Sequence, residues 1–244
     1  MEAPSEVFLS LVLPAYNESR RIATTLQRTL AYLEARPFTW ELIVVDDGST
    51  DGTAGIVRQA VGASQKVQIL KTDPNRGKGY SVKTGMEQVR GRYAGFMDAD
   101  YKTDIACTEE ALRRLEAGWE VVIGSRRLSN SRIGVQPKLY RQAASFLFNR
   151  YLRLLFPALR RFRDTQCGFK FFHRKAALEI FPRLVVDRFM FDVELLYLAH
   201  RLRYRVCEIP VRWSSDPDSR TTLIEGILRN ALDLLRIRKA HRRL

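Results

Sequence analysis

The sequence has 244 residues, of which 45% are hydrophobic and 28% charged, which is typical of a globular chain and excludes a disordered one. No stretch approaches the ~20 apolar residues that cross a bilayer, and the N-terminus lacks a basic leader segment, so we expect neither a membrane span nor a signal peptide. The three cysteines are odd in number and lie far apart, and the chain has only three histidines. We therefore expect no zinc site, and we expect a protein of a reducing compartment.

The net charge of +14 is concentrated in the second half of the chain. Residues 1–120 contain 15 Lys or Arg and 17 Asp or Glu, whereas residues 121–244 contain 26 basic and 10 acidic residues. This asymmetry favours a polyanionic partner, namely a nucleic acid, an anionic lipid surface or a phosphorylated substrate, over a merely solvated basic face. No nucleic-acid-binding motif is present, so we expect no nucleic-acid partner.

Apolar runs alternate with amphipathic stretches through the first half of the chain. The apolar runs predict the strands Val7–Leu13, Leu42–Val45, Val67–Lys71, Tyr93–Met97 and Glu120–Ile123. The stretches between them predict the helices Asn17–Arg36, Asp51–Val61, Lys78–Arg90 and Cys107–Ala117. Strand–helix alternation with short loops predicts an α/β fold with a Rossmann-like, mostly parallel central sheet flanked by helices.

The second half is less regular. Its predicted elements are the helix Gln136–Leu159, the strand Gly168–His173, a helix from Lys175, the helix Phe191–Arg203, the strand Val206–Val211 and the helix Thr221–Leu244. The first of these helices interleaves aromatic, leucine and arginine residues, which is typical of an interfacial helix. The segment Ser214–Thr222 is the best candidate for a mobile loop.

Polar or glycine-rich motifs follow all five strands predicted in the first half. In chain order they are PAYNE at 14–18, DDGS at 46–49, NRGKG at 75–79, DAD at 98–100 and GSRR at 124–127. Ligands of such sheets bind beyond the carboxyl ends of the strands. The convergence of five motifs on one edge therefore predicts a ligand site.

Three of these motifs have a chemistry that can be read from their residues. Asp98 and Asp100 can point into one site, where a hard cation such as Mg²⁺ or Mn²⁺ relieves their repulsion, although a solvated turn is the alternative. In NRGKG, Arg76 and Lys78 are typical of a phosphate cradle, and the two glycines let the backbone approach a ligand. The DDGS carboxylates can accept a nucleobase N–H or a ribose hydroxyl, or belong to a helix-capping turn. Together these chemistries predict a nucleotide-sugar site.

The motifs LPAYNE, VVDDGSTDGT, NRGKG, FMDAD and GSR resemble, in order and spacing, the family 2 glycosyltransferases with a GT-A fold. DTQCGFKFF at 164–172, FDVELLYLA at 191–199 and EIPVRW at 208–213 extend the likeness to the dolichyl-phosphate β-glucosyltransferase branch, which is related to dolichyl-phosphate mannose synthase. The resemblance implies a GT-A fold with C-terminal amphipathic interfacial helices. Residues 1–125 would bind the donor, and residues 126–244 would bind the acceptor and associate with the membrane.

The resemblance also implies roles for individual residues. Those implied for the nucleotide sugar are Pro14, Ala15, Tyr16, Glu18, Asp46, Asp47, Gly48, Arg76, Lys78, Asp98, Ala99 and Arg220. Those implied for the acceptor phosphate are Arg126, Arg127, Gln166 and Ser219. The implied metal ligands, for Mg²⁺ or Mn²⁺, are Asp98 and Asp100, and the implied catalytic residues are Asp192, Asp164 and Arg126.

The implied reaction is an inverting hexose transfer to a polyprenyl or dolichyl phosphate, with UDP-glucose favoured over GDP-mannose as the donor. A lipid phosphate is already anionic, so Asp192, at the family's base position, either takes a proton or only orients groups. A family 2 enzyme with a small phosphorylated or polyol acceptor is the alternative. Arginines near anionic lipid contribute about 1 kcal/mol each, so we expect a cytoplasmic protein bound peripherally to the cytoplasmic face of a membrane. The oligomeric state is left open.

Overall fold

The computed structural model of the chain describes residues 6–133, 148, 150–214 and 223–242. Its strands are β1 (Leu9–Ala15), β2 (Trp40–Asp46), β3 (Val67–Lys71), β4 (Tyr93–Met97), β5 (Val121–Ser125), β6 (Arg132–Ile133), β7 (Phe169–His173), β8 (Val206–Pro210) and β9 (Arg212–Trp213). Its helices are α1 (Ile22–Glu34), α2 (Thr53–Val61), α3 (Lys78–Met86), α4 (Thr108–Glu116), α5 (described over residues 150–155), α6 (Arg174–Ile180), α7 (Phe191–Arg201) and α8 (Leu223–Ala240). Most predicted elements are therefore present, with bounds shifted by a few residues.

Seven strands form one sheet in the order β3-β2-β1-β4-β7-β5-β8, and β6 pairs with β9 separately. All pairs in the large sheet are parallel except those of β7, which runs antiparallel between β4 and β5. The predicted mostly parallel sheet is thus confirmed. Because β7 comes from the second half of the sequence and lies between two strands of the first half, both halves share one sheet.

Alternate residues of the central strands face two separate cores. Leu11 and Leu42 pack on one face with apolar residues of α1, α2 and α4. Val12 and Ile43 pack on the opposite face with apolar residues of α3, α6, α7 and α8. Every residue of β1 and β2 is buried. Burial on both faces is the reason why these strands read as continuous apolar runs rather than as alternating ones.

Two predicted segments of the second half lie mainly outside the described residues. Of the predicted helix Gln136–Leu159, residues 136–147 and 149 lie outside, and the described end of α5 stops at residue 155 instead of 159. Pro157 starts a short 3₁₀ turn there, because proline has no N–H for the helical hydrogen-bond pattern. Residues 215–222 of the predicted loop Ser214–Thr222 also lie outside the described part.

Candidate active site

A cavity of about 390 Å³ opens at the edge of the sheet where β1, β2 and β4 end. The predicted donor and metal residues among its lining are Pro14, Ala15, Tyr16, Glu18, Asp47, Lys78, Asp98, Ala99 and Asp100. Asp46, Gly48 and Arg76 were predicted for the same site and do not line the cavity. The parallel strands therefore bring together four of the five sequence motifs in one concave surface, and the fifth, GSRR, contributes no residue to its lining.

Asp47 organises the NRGKG loop. Its buried carboxylate accepts hydrogen bonds from the backbone N–H groups of Arg76 (3.1 Å) and Gly77 (2.7 Å). Asn75 Nδ2 and Thr72 Oγ1 donate to the same carboxylate at 2.8 and 2.7 Å. The end of β2 therefore determines the shape of the loop after β3, and the oxygens of Asp47 are largely engaged within the protein.

Asp46 and Gly48 shape the turn around Asp47. Ser49 N–H donates to Asp46 Oδ1 at 3.2 Å, whereas Oδ2 of the same carboxylate is buried and has no hydrogen-bond partner among the described residues. Gly48 has a φ of 73°, and a Cβ there would lie 3.1 Å from the backbone nitrogen of Asn75. Glycine is therefore required by the turn itself rather than by contact with the cavity.

The loops after β1 and β2 are tied together by side chains. Ser49 Oγ and Thr53 Oγ1 accept from the backbone N–H groups of Asn17 and Glu18, both at 2.9 Å. Asp51 accepts from Ser19 N–H at 3.0 Å and from Thr53 N–H at 3.1 Å. Burial opposes ionisation, but the hydrogen bonds from Thr53 and Ser19 lower the pKa of Asp51 to about 2. The STDGT stretch thus stabilises the wall that carries PAYNE.

The two carboxylates of DAD each hold a lysine. Lys78 Nζ lies 2.5 Å from Asp98 Oδ1, and Lys102 Nζ lies 2.8 Å from Asp100 Oδ2. Burial lowers the pKa of Lys78, but the carboxylates around it, led by Asp98, outweigh burial and raise the pKa above its usual value. The Asp98 carboxylate also packs directly on Gly168, where a Cβ would lie 2.2 Å from Oδ2.

The donor set at Asp98 and Asp100 suits Mg²⁺ or Mn²⁺. Such hard cations take one or two carboxylates and leave their other positions to water and substrate phosphates. No group of three metal-ligating side chains occurs within the residues that the structure describes. The protein would therefore supply two carboxylates, and a bound diphosphate would supply further oxygens.

Arg126 and Asp164, both predicted to be catalytic, form an ion pair outside the cavity lining. Arg126 Nε and Nη2 donate to the two oxygens of Asp164 at 2.7 and 2.9 Å, and the backbone N–H of Arg126 donates at 3.0 Å. Glu208 accepts from the N–H groups of Arg163 and Asp164, which holds this turn in place. Burial would raise the pKa of Asp164, but Arg126 lowers it below its usual value. The structure thus engages Asp164 in positioning Arg126.

The other residues predicted for the acceptor phosphate are only partly described. Arg127 is exposed, and Gln166 is half-buried with its N–H donating to Asp164 Oδ1 at 3.2 Å. Neither lines the cavity. Ser219 and Arg220 lie outside the described residues. The structure therefore brings Arg126, Arg127 and Gln166 to one turn region beside Asp164.

Asp192, the predicted base, is buried in the first turn of α7 and does not line the cavity. Lys170 on β7 is fully buried, contacts Asp192 Oδ1 and donates to the carbonyl of Cys167 at 2.7 Å. Burial raises the pKa of Asp192, and the ammonium groups of Lys170 and Lys78 offset only part of that increase. Sequence reasoning missed Lys170, because a lysine in an apolar strand gives no sign of its partner.

Arg188 and Phe189 line the cavity and were not predicted from the sequence. They belong to residues 184–190 between α6 and α7, here called the rim segment. A Cβ at Gly77, whose φ is 117°, would lie 2.8 Å from the Asp187 carbonyl, and a Cβ at Gly79 would lie 2.8 Å from the Arg188 carbonyl. The NRGKG glycines were predicted to let the backbone approach a ligand. Both glycines allow the loop to pack closely against the rim segment, and Gly77 also lines the cavity.

Solved structures similar to this chain include two sugar transferases. Glucosyl-3-phosphoglycerate synthase from Mycobacterium tuberculosis, crystallised with Mn²⁺, UDP and glucosyl-3-phosphoglycerate, matches with a TM-score of 0.70 at 16% identity and covers 96% of this chain and 80% of that one. Mannosyl-3-phosphoglycerate synthase from Rubrobacter xylanophilus matches with a TM-score of 0.68 at 19% identity, over 98% and 76% of the two chains. These neighbours are GT-A glycosyltransferases, so the expected GT-A fold is confirmed.

Sequence relatives match over almost the whole chain. The dolichyl-phosphate beta-glucosyltransferases of Drosophila melanogaster, Saccharomyces cerevisiae and Homo sapiens are 40%, 35% and 36% identical to it. These matches cover 97%, 97% and 94% of this chain and 76%, 75% and 74% of the relatives. The family model described as Glycosyl transferase family 2 matches residues 10–181. The chain therefore belongs to glycosyl transferase family 2.

Proposed function

We propose that this chain transfers glucose from UDP-glucose to dolichyl phosphate or another polyprenyl phosphate, with inversion at the sugar C1. The observation that carries the proposal is the identity of 34–40% to dolichyl-phosphate beta-glucosyltransferases over 94–98% of the chain. The cavity supports it, because its size suits a nucleotide sugar and its lining combines apolar groups with a few convergent charges.

The donor would bind along the ends of β1, β2 and β4. Tyr16 and Glu18 would contact the nucleoside. Asp46 Oδ2 has no hydrogen-bond partner within the described ranges, which supports the predicted role of that carboxylate as an acceptor for the base. Lys78 would contact the diphosphate, since its ammonium group lies on the cavity wall beside Asp98. A cation at this point stabilises the negative charge that develops on the departing nucleotide.

Asp98 and Asp100 would hold Mg²⁺ or Mn²⁺ against the donor diphosphate. When bound, such an ion supplies Lewis-acid stabilisation of the leaving group. We expect transfer to be lost after dialysis against EDTA and restored by either cation. Full activity in EDTA would contradict the proposed metal requirement and leave Lys78 as the cation that serves the leaving group.

The acceptor phosphate would bind near Arg126, which Asp164 holds in a fixed orientation. Arg127, Gln166 and Ser219 are proposed to complete this phosphate site. The attacking group is a phosphate oxygen that is already anionic, so the reaction needs little proton abstraction. This chemistry favours an orienting role for Asp192 over its predicted role as a base.

Helix α8 supports a peripheral association with an anionic membrane. No helix in the described ranges is both long and apolar enough to cross a bilayer. Leu228, Leu232 and Leu235 lie on one side of α8 and are 68%, 59% and 47% exposed. Arg236 and Arg238 follow on the same helix, and apolar and basic side chains together are typical of binding at a lipid interface. We propose attachment at the cytoplasmic face of the membrane.

Flotation with vesicles tests this attachment. We expect the protein to float with vesicles that contain anionic lipid and not with neutral ones. The triple variant Leu228→Gln, Leu232→Gln, Leu235→Gln should lose most of this binding while it keeps transfer to a short-chain, water-soluble polyprenyl phosphate. Equal flotation of the variant and the wild-type protein would contradict the role of α8.

One transfer assay separates the proposed reaction from its alternatives. The purified protein is incubated with Mn²⁺, UDP-[¹⁴C]glucose and a polyprenyl phosphate, and the products are extracted into organic solvent. We expect label in the lipid phase, and little label when GDP-mannose replaces the donor or 3-phosphoglycerate the acceptor. Label only in a water-soluble product would favour a small acceptor, and label only from GDP-mannose would favour a mannosyltransferase.

A further inference from the structure

Glu194 is a fully buried carboxylate that the proposed reaction does not use. It lies on α7 two residues after Asp192. Its Oε1 and Oε2 accept hydrogen bonds from the backbone N–H groups of Val185 (2.9 Å) and Val186 (3.0 Å), the second and third residues of the rim segment. A carboxylate at this depth is costly unless it is fully hydrogen-bonded. The Glu194 carboxylate thereby holds two consecutive backbone N–H groups of the rim segment.

A third group that contacts the Glu194 carboxylate comes from the C-terminal end of the chain. His241, just after α8, is 4% exposed, and its Nε2 lies 2.6 Å from Glu194 Oε1. Oε1 already accepts the Val185 N–H, so we assign the hydrogen of this contact to Nε2. The buried residues Leu234 and Ile237 anchor α8 in the core of the same face of the sheet. One end of α8 is thereby joined to the rim segment through a single carboxylate.

The rim segment in turn forms part of the cavity wall. Arg188 and Phe189 line the cavity, and Tyr80 N–H of α3 donates to the Asp187 carbonyl at 2.9 Å. Arg76 Nη2 pairs with the Asp187 carboxylate at 2.9 Å, and Gly77 leaves no room for a side chain against the same residue. A shift of the rim segment therefore moves Arg188 and Phe189 and disturbs the NRGKG loop at the same time.

We propose that His241 and Glu194 are positioning residues for the donor pocket: their contact holds residues 185 and 186 and thereby determines where Arg188 and Phe189 stand in the cavity wall. The proposal rests on the proposed function for the identity of the ligand, a uridine nucleotide. Both residues lie outside 10–181, the region that the family model matches, and the proposal assigns them to the positioning of the nucleotide-sugar pocket. The positively charged Arg188 and the aromatic Phe189 suit the phosphate and ring of such a ligand.

The test compares two variants of His241. His241→Leu removes the N–H that donates to Glu194 and puts an apolar side chain in its place, whereas His241→Gln keeps an N–H that can donate a hydrogen bond. We expect His241→Leu to raise the KM for UDP-glucose and the Kd for UDP about tenfold with little change in kcat, and His241→Gln to recover most of the loss. Leu234→Ala is the matched control, because it removes buried contacts of α8 outside this hydrogen-bond chain. It should lower the melting temperature and leave KM unchanged below that temperature.

A double-mutant cycle and amide exchange give independent readouts. In an Arg188→Ala background, His241→Leu should have a much smaller further effect on KM, because both changes act through the same side chain. Hydrogen exchange should rise at residues 185–189 in His241→Leu and not in Leu234→Ala. This readout needs no ligand, so it tests the positioning even if UDP is not the nucleotide. If His241→Leu is not recovered folded, His241→Met, which also lacks an N–H donor, replaces it with the same expectations.

Two outcomes would overturn the proposal. One is a wild-type KM together with wild-type exchange at residues 185–189 in His241→Leu. The other is a rise in KM in Leu234→Ala that equals the rise in His241→Leu, since the effect would then follow general destabilisation of α8. Absence of uridine-nucleotide binding by the wild-type protein, with the exchange pattern as expected, would refute only the assigned donor.

Discussion

The substitution Gly168→Ala tests whether the position of the Asp98 carboxylate governs activity. An added Cβ would lie 2.2 Å from Oδ2 and 2.3 Å from Cγ and Oδ1, whereas ordinary contact begins at 3.4 Å. The carboxylate therefore has to withdraw by roughly 1 Å, and a misplacement of about 1 Å costs about 100-fold in rate. We therefore expect kcat/KM to fall about 100-fold, which is a loss of about 2.7 kcal/mol in transition-state stabilisation at about 1.36 kcal/mol for each factor of 10.

The stability of this variant should change little. The clashing atoms are the end of a flexible side chain rather than backbone, and Gly168 does not have a positive φ, so alanine is compatible with its backbone. Side-chain displacement of this kind costs about 0.5–1.5 kcal/mol. We therefore expect kcat/KM to fall while the stability stays nearly unchanged, which distinguishes an effect on the site from partial unfolding.

The assay is the initial rate of glucose transfer to polyprenyl phosphate, measured beside thermal unfolding of the same preparation. Gly55→Ala is the matched control, because a Cβ at Gly55 in α2 would meet nothing within 4 Å. This control should keep the wild-type rate and gain up to about 1 kcal/mol of stability, since alanine favours the helix. A Gly168→Ala variant that folds and keeps wild-type kcat/KM would refute the reasoning.

Three further predictions concern buried charges. Lys170→Met leaves Asp192 as a buried carboxylate without its ammonium partner and should lower the free energy of unfolding, measured with urea, by about 3–5 kcal/mol. Adding Asp192→Asn should restore part of this loss. An unchanged free energy of unfolding in Lys170→Met would contradict the pairing. Asp47→Ala leaves two loop N–H groups without their acceptor and should cost about 2–4 kcal/mol and weaken UDP binding in calorimetry, whereas unaltered binding would contradict its loop role. The folded pKa of Asp164 is below its unfolded value, so its ionisation stabilises the fold at neutral pH and this contribution is lost as the pH falls below about 4. The difference in unfolding free energy between wild type and Arg126→Gln should therefore be largest near pH 7 and shrink on acidification, and a constant difference would contradict the ion pair.

The sequence determined the local features of this protein. Continuous apolar runs determined which strands are buried on both faces, and the residues directly after them determined which motifs meet at one edge of the sheet. This succeeded because parallel strands in an α/β fold all end on the same side, so position along the chain already implies position at the edge. Resemblance then supplied the family, since motif order and spacing survive where overall identity does not.

The tertiary structure decided how the carboxylates are used. Asp47 serves the NRGKG loop, Asp164 holds Arg126, and Glu194 joins the rim segment to His241. These contacts join residues 30, 38 and 47 positions apart, so no local period or turn signal encodes them. The first exists because β2 and β3 are parallel neighbours, the second because β7 pairs with β5, and the third because α7 and α8 pack on one face of the sheet. A side chain finds its partner only after long-range packing brings the elements together, and that step lies beyond what spacing in the sequence specifies.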